Sequence, residues 1–219
     1  VGAQALKTNV AGYDNTAIGS NALRLLNGGA TGIQNTAVGV NALSSATDGQ
    51  ENTAIGMNAL RSGTVPKWNV AVGTNSLQAL TTGNSNTVLG NNAGYTGIIN
   101  HSVVAVGSNA AYTNTADETV AIGPDALRFN TNGAGNVAVG PFALDANTTG
   151  AQNTAVGNNA LGANQTGSRS VAIGGQALLL AIDRENTAVG EEALSGCTTG
   201  FDNTAIGYGS LSTLTQGTN

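Results

Sequence analysis

A glycine recurs about every 17 residues along the whole of this 219-residue chain. Each copy resembles Asn15 to Leu23, Asn-Thr-Ala-Ile-Gly-Ser-Asn-Ala-Leu, and its glycine is numbered below as position 0 of the repeat. The thirteen glycines at position 0 are Gly2, Gly19, Gly39, Gly56, Gly73, Gly90, Gly107, Gly123, Gly140, Gly157, Gly174, Gly190 and Gly207. A unit of this length is too short for the helix pairs of repeats with about 33 residues or more. The period predicts an all-β parallel β-solenoid (β-roll) of about thirteen 17-residue coils, as a single repeat domain over 1–219. Because the repeat pattern is already present at Val1, we expect the chain to be an excerpt of a longer protein.

The residues around the glycine predict which side chains face the core. Position −1 is Val, Ile or Leu in all thirteen copies, position −3 is Thr or Val, and position −2 is Ala in eleven of twelve. Because side chains alternate between the two faces of a strand, positions −3 and −1 share one face, while −2 and the glycine share the other. We expect the aliphatic face to pack inward beside the leucines that occupy position +4 in eleven copies. The residues expected to be buried are Val38, Ile55, Val72, Ile122, Val156 and Ile206.

Two further columns predict polar ladders and a second turn. Asn occupies position −4 in nine of twelve copies and position +2 in seven of thirteen, so stacked coils would align these amides along the axis. A second glycine follows at position +10 in nine copies, where we expect a turn that needs positive φ. The three-residue insertion within residues 27–32 falls near this turn and is expected to form a surface loop.

The composition argues against several classes of function. Seven basic and twelve acidic residues give a net charge of −5, which disfavours nucleic acid as a partner. No stretch approaches the ~20 apolar residues of a membrane-spanning helix, so we expect no membrane insertion. The single histidine, His101, and the single cysteine, Cys197, lack the partners of a catalytic triad or a metal site. We therefore expect no enzymatic activity, no catalytic or metal-binding residues and no cofactor, with His101 a solvated loop residue and Cys197 a bystander.

The face that carries Ala and Gly predicts self-association. A flat strip of small apolar residues allows another backbone to approach closely, so identical faces would meet about a common axis. Ala54 and Ala155 would then line that axis. The alternative is that this strip packs against another part of its own coil.

The repeats also resemble two families of fibrous proteins. Units such as Asn35 to Leu43 and Asn153 to Leu161, and Ser170-Val171-Ala172-Ile173-Gly174, resemble the head repeats of trimeric autotransporter adhesins. The Asn-Thr-Ala pattern, followed by Ala-Leu and a Thr-Gly turn, is similar to repeats of bacteriophage tail fibres. The resemblance implies a left-handed parallel β-roll that assembles as a homotrimer.

The expected function is that of a structural and adhesive segment of a phage tail fibre, located on the virion and taking part in host attachment. One alternative is the head of a bacterial trimeric autotransporter adhesin at the cell surface, which binds host or matrix. Another is an ice-binding solenoid, which the inward placement expected for the threonines disfavours. A solenoid polysaccharide lyase or hydrolase is disfavoured by the lack of clustered acidic and basic residues.

Any receptor contact is expected where the repeat varies. Position −6 ranges from Tyr and Phe to Lys, His, Asp and Ala, as a solvent-facing position would. Exposed aromatic residues are common anchors for sugar or protein contacts. The candidates for contact with a host cell-surface glycan or protein are Tyr13, Trp68 and Phe201, and the alternative is that they merely cover turns.

Overall fold

The computed structural model describes residues 1–27, 32–97 and 100–217, which form twelve short β-strands and no helix. The chain divides into two compact units, Val1–Asn109 and Ala110–Asn219. The strands of the first unit are β1 (Thr16–Ile18), β2 (Thr36–Val38), β3 (Thr53–Ile55), β4 (Val70–Val72), β5 (Thr87–Leu89) and β6 (Val104–Val106). Those of the second unit are β7 (Val120–Ile122), β8 (Val137–Val139), β9 (Thr154–Val156), β10 (Val171–Ile173), β11 (Thr187–Val189) and β12 (Thr204–Ile206).

Within each unit every strand pairs in parallel with the strand of the next repeat. The register joins equivalent residues, so that Ala37 aligns with Ala54 in the first unit and Ala138 with Ala155 in the second. The copy at Gly2 has no strand of its own, but the Gly19 amide donates to the Val1 carbonyl at 2.9 Å. The predicted all-β parallel solenoid with one coil per repeat is confirmed.

The prediction of which strand face is buried was wrong. The middle residue of each strand, at position −2, is the one that points into the coil, and the alanines there are buried. The flanking aliphatic residues lie on the outside: Ile55 and Ile122 are each 39% exposed and Ile206 is 73% exposed. The valines of the same column, Val38, Val72 and Val156, are only half-buried. The side chains alternate between the two strand faces as predicted. The interior of the coil is too narrow for a column of β-branched side chains, and it holds the alanine methyl groups of position −2 opposite leucine instead.

The core of each coil therefore consists mainly of alanine and leucine side chains. Leucine at position +4 is buried in nine of its eleven copies, as predicted, whereas Leu6 is half-buried and Leu211 is 50% exposed; the largest buried side chains of the two units include Leu43, Leu60, Leu144 and Leu161. Alanine at positions −2 and +3 fills the space beside it. Because Ala54 and Ala155 are fully buried inside their own coils, they cannot line an axis between chains, and that expectation was also wrong.

The turn after each strand contains residues in the left-handed conformation at positions +2 and +4. In one coil these are Asn58, with φ of 58°, and Leu60, with φ of 51°. A left-handed residue costs ~1–2 kcal/mol, so tertiary contacts must hold it. The Asn58 amide donates to the Val40 carbonyl of the preceding coil at 2.9 Å, and the Leu60 amide donates to the Ser76 carbonyl of the following coil at 2.9 Å. The backbone of the turn thus forms hydrogen bonds with the preceding coil and with the following coil, and these bonds offset the cost of the left-handed residues.

The second turn uses glycine for a different reason from the one predicted. Gly83, Gly133, Gly150 and Gly167 do not have positive φ. A Cβ at Gly133 would instead overlap the Gly150 carbonyl of the next coil, and one at Gly83 would overlap the Asn100 carbonyl. Glycine is required here by the close stacking of coils. The insertion expected to form a loop, within 27–32, lies mostly outside the described residues.

Candidate functional site

The outward side of the strands forms a regular surface in each unit. We call the side chains at positions −3 and −1 of the strands the outer face. All are exposed or half-buried, and the parallel register sets them in two straight columns. None of the 24 side chains that form the outer face is charged. The threonines expected to point inward, among them Thr16, Thr87 and Thr204, are on this exposed side.

The aromatic candidates at and beside position −6 are also exposed. Tyr13 is 53% exposed, Trp68 51% and Phe201 42%. The structure does not bring the three together: Tyr13 and Trp68 are three coils apart in the first unit, about 14 Å along the axis, and Phe201 belongs to the second unit. The column around them is held by backbone hydrogen bonds, since the Trp68 amide donates to the Gln50 carbonyl at 3.0 Å. These side chains are therefore displayed on a rigid backbone.

Phe201 lies at one end of a groove in the second unit. The groove has a volume of about 610 Å³. Its lining includes Gln152, Arg169, Asp183, Arg184 and Phe201, and four consecutive coils supply these residues. Arg169 forms an ion pair with Glu185 at its edge. Arg184 stands at the variable position −6, but the sequence did not indicate that it shares a groove with Arg169, because the two residues lie in consecutive coils and line one groove only when the coils stack.

One acidic residue of the second unit has a shifted affinity for protons. Burial raises the pKa of the Asp145 carboxyl above its usual value, and the nearby Asp125 carboxylate raises it further. Hydrogen bonds from the backbone amides of Ala146 and Asp145 itself and the Arg128 guanidinium act in the opposite direction. Arg128 also pairs with Asp125 at 3.5 Å and lies 4.9 Å from the Phe129 ring centre. Arg128 and Asp145 occupy position +5 of consecutive copies, and neither residue lines the groove.

His101 and Cys197 both lie at positions in the fold that suit a structural role. His101 is half-buried rather than fully solvated, because its Nδ1 accepts a hydrogen bond from the Asn84 amide at 3.2 Å. Cys197 is buried at position +7 beside the second turn. In the described ranges, no three His, Cys, Asp or Glu side chains lie where they could share a metal ion. The same ranges contain no helix of the length and hydropathy that crossing a membrane requires.

Comparisons with known proteins leave the geometry as the basis for assigning a function. No protein-family model, no curated protein and no solved structure matches this chain.

Proposed function

We propose that this chain is a segment of a bacteriophage tail fibre, which assembles as a homotrimer through its outer face and takes part in attachment to the host cell. The observation that carries the proposal is the outer face itself. A solvated surface is normally interrupted by charged or bulky polar residues, and contiguous exposed apolar patches in soluble proteins usually mark contacts with other molecules. Here a column of aliphatic residues at position −1, beside a column of Thr and Val at position −3, continues over six strands in each unit without one charge.

Symmetric self-contact is the simplest way to cover such a surface. Every coil presents Thr or Val beside an aliphatic residue at the same height, so a second copy in register meets residues of the same kind in every layer. Ile55 and Ile173, exposed by 39% and 42%, would be buried by that contact. The trimeric order comes from the resemblance of the repeats to tail fibres and adhesin heads.

Attachment to a host is assigned to the side chains that vary between coils. Tyr13, Trp68 and Phe201 lie outside the outer face and stay accessible when that face is covered. The head of a bacterial trimeric autotransporter adhesin would use the same two surfaces. The sequence that flanks the repeats separates these two readings, because an adhesin would continue into a C-terminal membrane anchor.

Ice binding is a second candidate, and one observation favours it more than the sequence did. The threonines at position −3 lie on the outer face, and three of the seven, Thr16, Thr87 and Thr204, are exposed, as an ice-binding surface requires. However, threonine occupies only seven of the twelve places at position −3 and none at position −1. The outer face is thus more aliphatic than a regular threonine array, which favours protein contact.

Replacing Ile55 and Ile173 together by Lys tests the assembly. We expect the natural chain to sediment as a trimer at micromolar concentration and the double variant as a folded monomer, because two buried ammonium groups in each chain would oppose contact. The matched control is the double variant Thr82→Lys and Gln165→Lys, which adds the same charge at exposed sites outside the outer face.

The proposal fails if the natural chain is a monomer at that concentration. A monomer that also shows thermal hysteresis, which the Ile55 and Ile173 variant loses, would establish ice binding instead.

A further inference from the structure

The groove in the second unit occurs where the repeat loses a residue. The copy from Gly174 to Gly190 has 16 residues, whereas the others that lie within this unit have 17. The second turn of this copy has no glycine, and the carbonyl of Asp183 occupies the place next to Gly167 where the following coil normally brings a glycine. Two large side chains, Ile182 and Arg184, leave this turn toward solvent. The groove is thus a local departure from the regular surface.

Its charge differs from that of the rest of the chain. The lining has two positive side chains, Arg169 and Arg184, and one negative side chain, Asp183, which leaves one net positive charge. The whole chain carries −5 and has only seven basic residues. Arg169 is partly neutralised by Glu185, but Arg184 forms no ion pair with any residue that the structure describes. An accessible guanidinium without a carboxylate partner is therefore available to a ligand.

The remaining lining residues define the shape and polarity of that ligand. The Phe201 ring is 42% exposed and offers an apolar surface on which a ring can lie. The exposed amide of Gln152 can donate and accept hydrogen bonds. A volume of about 610 Å³ falls within the ~300–1,000 Å³ of small-ligand sites.

We propose that this groove binds a saccharide that carries a single carboxylate, with the carboxylate on Arg184 and the sugar ring on Phe201. A planar carboxylate matches the two parallel N–H donors of a guanidinium. Because Arg169 is paired with Glu185, the single guanidinium of Arg184 suits a monoanion, whereas Asp183 would repel the second charge of a phosphate monoester. Hydroxyl groups on the sugar match Gln152, which an apolar ligand would leave unpaired. This inference rests on the proposed role in surface attachment, for which it names the ligand class.

Titration calorimetry of the natural chain with a disaccharide that contains glucuronate tests the proposal. The comparison ligands are the methyl ester of the same disaccharide, an acidic peptide and inorganic phosphate. We expect the acid to bind at least tenfold more tightly than the ester, and phosphate and peptide to bind more weakly than the acid.

Two substitutions separate the parts of the site. Arg184→Gln should abolish the preference for the acid over the ester, and Phe201→Ser should weaken binding of both by at least fivefold. Arg61→Gln and Phe142→Ser are the matched controls, because both residues are exposed and neither lines the groove, and they should leave binding unchanged. Circular dichroism confirms that each variant is folded.

Absence of saccharide binding at millimolar concentration overturns the proposal, as does an acid preference that survives Arg184→Gln. Equal or tighter binding of the peptide or phosphate also overturns it. Sedimentation of the same samples keeps the fibre proposal separate: a trimer without saccharide binding refutes only the groove, and a monomer that binds the acid refutes only the fibre.

Discussion

The two units are built from the same kind of coil, but their asparagine ladders occupy different positions of the repeat. In the first unit, asparagines at position +2 form a ladder on the turn, in which Asn41 donates to Asn58 and Asn58 donates to Asn75, both at 3.1 Å. In the second unit that column is mixed, with Phe142 and Gln176 among its members. There a ladder runs through the interior at position +7 instead, where Asn147 donates to Asn130 at 2.9 Å.

The interior ladder also holds the second turn. The Asn130 amide donates to the Gly133 carbonyl at 2.9 Å and its Oδ1 accepts from the Gly133 amide at 3.1 Å. In the first unit the same position is mostly apolar or glycine, as at Leu26, Ala46 and Leu80, with Asn9 as an exception.

A third ladder, at position −4, occurs in both units and confirms the predicted stacking of amides. Asn52 donates to Asn35 at 2.9 Å in the first unit, and Asn203 donates to Asn186 at 3.0 Å in the second. A buried amide needs a partner for each polar atom, and identical neighbours above and below supply these partners. The comparison teaches that a coil accepts polar residues inside when the same residue recurs in consecutive copies.

Substitution of a position 0 glycine tests what the two units have in common and should have the largest effect. Gly140 has φ of 132°, and a Cβ there would lie 2.6 Å from the Gly157 carbonyl oxygen. We expect Gly140→Ala to destabilise the second unit by ~4 kcal/mol or more, since strain and a backbone clash combine. Gly207→Ala is the control, because Gly207 has φ of 117° but no atom within 4 Å of the added Cβ. Equal losses in urea denaturation would show that conformation alone requires the glycine.

Leu80→Asn tests whether an isolated interior amide is tolerated. Leu80 is fully buried at position +7 of the first unit, where Gly63 and Gly97 occupy the copies on either side. We expect a loss of ~3–4 kcal/mol, because apolar burial is lost and the amide has no ladder to join. Leu80→Met should cost less than ~1.5 kcal/mol. A stability of Leu80→Asn close to that of Leu80→Met, measured by urea denaturation, would refute the need for consecutive asparagines.

Asn58→Ala tests the ladder that only the first unit has on its turn. Two side-chain hydrogen bonds at a half-buried site predict a loss of ~1–2 kcal/mol. Gln176→Ala is the matched control in the second unit, at the same φ of 58°, and should cost ~0.5 kcal/mol or less. Asn58→Gly separates conformation from bonding, since glycine adopts this φ freely. If Asn58→Gly is as stable as the natural chain, the ladder contributes nothing to stability, and the difference between the ladders of the two units has no energetic consequence.

The smallest effect concerns pH and the second unit alone. Because burial raises the pKa of Asp145, the folded unit binds this proton more tightly than the unfolded chain. The contribution of this group is therefore complete below the unfolded value of 3.8 and is lost as pH rises through the folded value. Asp145→Asn should make the second unit slightly more stable than the natural one at pH 7, and the difference should vanish near pH 3. Hydrogen exchange of amides in each unit measures this, with the first unit expected to be unchanged.

The residues explain why part of the fold was predictable. The recurrence of glycine gave coil size and parallel register, because identical residues stack when each copy has the same length. The asparagine columns gave the ladders, and leucine at position +4 gave one wall of the core. Alternation in segments such as Thr53–Ile55 defined two faces but did not identify the inner one, since Ala54 and Ile55 are both apolar. The usual preference for burying the larger side chain led to the wrong choice.

The candidate site was predictable only one residue at a time. Variability at position −6 indicated exposure for Tyr13 and Phe201 and for Trp68 beside that position, and the structure has all three exposed. It did not indicate that Phe201 shares a groove with Arg169, because the two residues are 32 positions apart in the chain.

The sequence by itself determined that this chain forms stacked parallel coils, with their register, their amide ladders and the position of both turns, because each of these follows from identical residues recurring at a nearly constant spacing. Only the tertiary structure decided which strand face is inside, why the second turn needs glycine, and where Arg169, Arg184 and Phe201 meet. The physical reason is that these depend on the width of the coil interior and on contacts between neighbouring coils.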